Sequence, residues 1–151
     1  MSYKEKRVIP VLGMFLVLLY ATINVAKGDT DEIKHPLPSS LTDLAAVKVI
    51  EISDANGQTI LKGNFVESGN DLNEVERTAM LAGNGSNARG KASIEISKKK
   101  NGFTEKELEV ETYNLAARSV FKVTVDGHEV ASFTTDHTGK AGLELSNEHT
   151  K

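Results

Sequence analysis

Asp126 and His128 flank one Asp-Gly turn, and Asp136 and His137 open a second turn, DHTG. Carboxylates and imidazoles are ordinary ligands for a divalent metal, and a metal held by four such groups would activate water for hydrolysis. If the two hairpins lay side by side, these four residues would converge. No pair of histidines, however, has the i, i+2 strand spacing or i, i+4 helix spacing that usually builds a metal site. Asp before Gly, and Asp at the head of a turn, are also common turn formers. The expectation is therefore turn carboxylates with exposed histidines. A metal-dependent hydrolase using Asp126, His128, Asp136 and His137 stands as the alternative.

Glutamates form the second group. Glu95, Glu107, Glu109, Glu111 and Glu144 alternate with apolar residues, which places them on outward faces. They read as a patch for Ca²⁺ or a basic partner, or as a solvated surface. Like charges opposite one another in neighbouring strands repel. Lys91, Lys98, Lys99, Lys100 and Lys106 are accordingly expected to lie across from these glutamates. Residues 69–74 (GNDLNE) lack the D-x-[DN]-x-[DN]-G order of a calcium loop. There is no G-x-S-x-G nucleophile turn. With no Cys, disulfides, iron–sulfur clusters and thiol nucleophiles are excluded. No residue is assigned from the sequence to catalysis, a cofactor or a metal.

The elements that carry these residues follow from patterning. The 151-residue chain opens with KEKR and then runs from Val8 to Ala26 without a charge. As a helix, 19 such residues would span roughly 28 Å, close to the thickness of a bilayer core. Residues 1–28 read as a signal peptide, cleaved after the small residues Ala26 and Gly28, or as an uncleaved anchor with the rest of the chain outside. Without the Lys4, Lys6, Arg7, Lys27 and Glu5 of this segment, totals of 18 basic and 21 acidic residues fall to 14 and 20, a net charge of −6. That sign repels phosphate backbones and argues against nucleic acid as a partner.

Residues 29–46 read as a linker: Pro36 and Pro38 favour extended chain, and 41–46 allow a helical turn capped by Ser40. From residue 47 the apolar period is two. Strands are expected at 47–53, 58–66, 75–82, 91–97, 105–113, 119–125, 128–134 and 140–145, with polar loops at 67–74 and 83–90 and a frayed tail at 147–151. With no room for helical crossovers, about eight strands make the 47–146 region an all-β domain, an antiparallel β-sandwich of Ig-like or similar type preceded by one apolar N-terminal helix.

One octet occurs twice, GKASIEIS at 90–97 and GKAGLELS at 139–146. Each follows a strand–turn–strand unit. The repetition reads either as a duplicated half-domain or as two strands converging on one favoured pattern.

The stretch from Leu81 to Leu115 combines L-x-G, a loop, A-R-G-K-A, an alternating strand and E-L-E-V-E-T-Y-N-L. This outline resembles the first part of a CHRD-type domain, a β-domain of exported proteins. The family's His-x-His pair is missing; VFKVTVDGH stands in its place, with His128 as its one histidine. The resemblance implies a β-fold and export. The reading as a whole is a noncatalytic exported or membrane-anchored binding or structural module of a bacterial cell envelope. Its expected partner is an envelope protein or polysaccharide, met through the loops or an exposed sheet face.

Overall fold

A computed structural model describes residues 32–148. Ten strands follow one another: β1 (Ile33–Pro36), β2 (Val49–Asp54), β3 (Thr59–Asn64), β4 (Val66–Asn70), β5 (Glu74–Ala82), β6 (Arg89–Lys98), β7 (Thr104–Tyr113), β8 (Val120–Val125), β9 (His128–Thr134) and β10 (Ala141–Ser146). The apolar stretch 8–26 lies outside the described residues. Among those described, no helix is long and apolar enough to cross a membrane.

The period-two pattern decides which side chains turn inward. Ile50, Ile52, Leu61, Ala79, Leu81, Ala92, Ile94, Leu108, Val110, Phe121, Val123, Val125, Phe133, Leu143 and Leu145 all enter one buried core. Phe121 and Phe133, directly opposed on β8 and β9, stack with ring centres 5.9 Å apart. The all-β expectation holds, but the arrangement is not a sandwich. A single hydrogen-bonded path runs β1-β10-β7-β6-β5-β3-β2-β8-β9 and curls into a nearly closed barrel. Alternation gives each strand one buried face, which a sandwich and a barrel satisfy equally. The order of neighbours makes the difference.

Neither is the sheet wholly antiparallel. β1 runs parallel to β10, with Ile33 opposite Leu143 and Lys34 opposite Glu144. A parallel pair needs a long connection, and here the entire domain is that connection. The expected 29–46 linker thus contributes an edge strand, and Pro36, which has no N–H to give a ladder, sits where such a residue is tolerated. Beyond it, Leu41, Leu44 and Val47 are buried. The helical turn is a short 3-10 element, Leu44–Ala46, capped by Asp43 rather than Ser40.

Two further segments differ from expectation. Residues 67–70, read as loop, join Val66, read as the end of the preceding strand, to form β4, which continues the β3 register along β5: Lys62 faces Ala82, and Val66 faces Thr78. At the C-terminus, Asn147 is held rather than frayed. Its carboxamide accepts from the Lys106 N–H at 2.8 Å and donates to the Thr104 carbonyl at 2.9 Å.

The repeated octets flank one strand. β6 and β10 both pair antiparallel with β7, staggered so that Ala92 and Leu143 each face Val110. They therefore run in the same sense, whereas the corresponding strands upstream, β2 and β8, are antiparallel. The shared letters serve a shared neighbour. Even the leading glycines differ in role. Gly139 takes a turn conformation at φ +78, while Gly90 lies within β6, where a Cβ would come 2.5 Å from the Glu111 carbonyl oxygen.

Candidate functional site

With Ala92, Ile94, Leu108 and Val110 inward, the intervening residues of β6 and β7 must face outward. The register then sets their neighbours. In one row across the sheet, Glu76 on β5 faces Glu95 on β6, and Glu95 faces Glu107 on β7. In the next, Thr78 faces Ser93, Ser93 faces Glu109, and Glu109 faces Glu144 on β10. Directly opposed like charges destabilise a sheet. Of the five lysines expected across from these glutamates, Lys91 alone takes such a place, facing Glu111, while Glu144 faces Lys34 of β1 instead. Lys106 turns its ammonium to the Thr42 carbonyl, 2.6 Å away.

Between the two rows lies a depression of about 210 Å³, lined by Ser68, Thr78, Ser93, Glu95, Glu107 and Glu109 among others. Its lining combines the hydroxyl-bearing Ser68, Thr78 and Ser93 with Glu76, Glu95, Glu107 and Glu109, and also includes Lys91. The Ser68 and Thr78 hydroxyls are 3.1 Å apart, and the Ser93 hydroxyl donates to the Glu109 carboxylate at 3.5 Å. Burial, reinforced by Glu144 and Glu95, pushes the Glu107 carboxyl above the usual carboxylate range. Burial and then Glu111 do the same to Glu109. The charge of Glu95 raises Glu74. Glutamate repulsion thus appears in each of the three raised carboxyls.

Two lysines reach the margins of this face. Lys99, in the turn before β7, pairs with Glu105, and with the Ser97 hydroxyl it holds that carboxyl below its usual range. Lys34 of β1 pairs with Glu144. Read as outward-facing from the sequence, Glu144 proves to be buried at 7% exposure, because β1 closes over the edge of β10.

The four turn residues of the hydrolase alternative do not converge. Asp126 and His128 sit at one end of β9, Asp136 and His137 beyond the other, separated by its seven residues, roughly 20 Å of extended chain. The Asp126 carboxylate accepts from the Lys48 and Val49 N–H groups, the latter at 2.8 Å. That of Asp136 accepts from the Thr138 and Lys140 N–H groups at 2.7 and 2.9 Å, which lowers its pKa. Both aspartates shape backbone, as turn formers do. Among the described residues no group of three or more His, Asp or Glu side chains is arranged to hold a metal.

Sequence reasoning missed Arg77. It sits between inward positions of β5 and donates to the carbonyls of Ala45, Val47 and Phe65, with its guanidinium 6.0 Å from the Phe65 ring centre. A charged residue on the apolar phase of an alternating strand was the available signal. Its role is to fasten the crossing segment 45–47 beneath the acid-bearing strands. The chain matches no protein-family model, and no curated protein and no solved structure is significantly similar to it.

Proposed function

We propose that this protein is a noncatalytic binding module of the bacterial cell envelope, and that the outer face of β5, β6, β7 and β10 receives a basic segment of a partner protein. One observation carries this reading: the row Glu76–Glu95–Glu107 sets three carboxylates side by side with no cation between them in the register. The free protein bears the cost of that repulsion. A lysine- or arginine-rich segment laid across the depression would relieve it, and would find the Ser68, Thr78 and Ser93 hydroxyls as acceptors. Delivery outside the cytoplasm rests on the basic head and uncharged stretch of residues 1–28.

The test is titration of the full chain with a pentalysine peptide at low and high salt. Binding that weakens with salt, and falls roughly tenfold in a Glu95→Gln, Glu107→Gln double variant of undiminished stability, is the expected result. Equal affinity for wild type and the double variant would refute the reading.

A further inference from the structure

β1 is the shortest strand of the sheet, pairs only with β10, and exposes all but Ile33 of its four residues. Ile33 and Leu37 pack partly against the core, and the Leu37 N–H extends the ladder to the Ser146 carbonyl at 2.9 Å. Pro36 and Pro38 contribute no donors. Edge elements with so few attachments lie at the low end of local stability. A charged contact adds to these few attachments: Lys34 bridges Glu144, with Glu32 of the approaching chain 3.5 Å from the same ammonium.

Glu144 is also the member of the acidic face with least access to water. From β7 it meets Glu109 directly, and its charge reaches Glu107. Lys34 is thus an ammonium, delivered on an extended strand, that neutralises the β10 end of a carboxylate row. This is the chemistry assigned above to the partner.

We infer that β1 is an intramolecular strap on the acidic face, its Lys34 holding Glu144 in competition with the basic segment of the partner. The inference rests on the proposed binding role and adds its regulation. With β1 in place, the face is partly satisfied. When a basic segment takes Glu144, β1 loses its anchor and the edge of β10 opens.

The experiment follows amide exchange of residues 33–37 and 143–146 in the full chain, for wild type, Lys34→Gln, Glu144→Gln, Lys34→Arg and the control Lys62→Gln, with and without pentalysine. Lys34→Gln and Glu144→Gln are expected to speed exchange of 33–35 roughly fivefold, while Lys34→Arg and Lys62→Gln leave it unchanged. Pentalysine should speed the same amides in wild type, and Lys34→Gln should bind it roughly fivefold tighter than Lys62→Gln does. Unchanged exchange in both Lys34→Gln and Glu144→Gln overturns the strap. Peptide that binds without altering β1 exchange overturns the competition and leaves the binding role standing. Peptide that binds no variant defeats the binding role and the competition together, and exchange in Lys34→Gln then decides the latch by itself.

Discussion

Across β2 and β3, Glu51 faces Lys62 and pairs with it at 2.9 Å; across β6 and β7, Glu95 faces Glu107. On β8 and β9, Lys122 and Glu129 pair at 3.0 Å. One half of the barrel thus sets opposite charges against each other, as cross-strand energetics favour. The other half sets acid against acid in two successive rows. Both halves bury the same kind of core and obey the same alternation, so the difference lies only in what the outer face carries. Where Glu76, Glu95 and Glu107 lie opposite one another, the like charges cost stability that the paired half does not lose.

The largest effect is expected where the acid-bearing half is fastened to the segment beneath it. Arg77→Ala leaves the Ala45, Val47 and Phe65 carbonyls without their charged donor and should cost about 2–3 kcal/mol in denaturant unfolding. A loss below about 0.5 kcal/mol would mean that the crossing segment does not depend on this side chain. A more direct contrast applies one substitution to both halves. Glu107→Gln removes repulsion from Glu95, and Glu51→Gln removes attraction to Lys62. The first should stabilise and the second destabilise, each by about 0.5 kcal/mol. Changes of the same sign would erase the comparison.

The smallest effect is on pH dependence. Glu107 and Glu109 have folded-state pKa values raised above their unfolded ones. The folded state then holds more protons than the unfolded one, so stability falls as pH rises from the ordinary carboxylate range through the raised values. Asp136 and Glu105, held low, act oppositely and lose their contribution as pH falls through their lowered values. Glu107→Gln, Glu109→Gln should therefore flatten the decline above the ordinary carboxylate range, and Asp136→Asn should flatten the loss below it. Unfolding midpoints measured across both ranges check the two signs independently.

Much of this organisation was legible in the residues. The alternation of Ala92, Ile94 and Ile96, and of Leu108 and Val110, marked inner faces correctly, and Asp126-Gly127 marked the tight β8–β9 turn. Arg77 was hidden because its partners are backbone carbonyls more than ten residues away. β1 was hidden because its partner strand lies 110 residues away, and proline-containing chain resembles a linker when read locally. Separation of the two Asp/His pairs was readable in principle, since successive turns joined by one extended strand fall at its opposite ends.

Side-chain alternation is a property of i and i+2, so the sequence alone determined that the chain would form strands and which residues each would turn inward. Which strands became neighbours depended on closing a single curled sheet around those inward residues, and no local pattern encodes that closure. Only the tertiary structure decided that β7 would lie between two copies of one octet, that Glu95 would face Glu107, and that Lys34 would reach Glu144. Charge on each outer face was fixed residue by residue; whether it met its opposite or its like was fixed by the order of the strands.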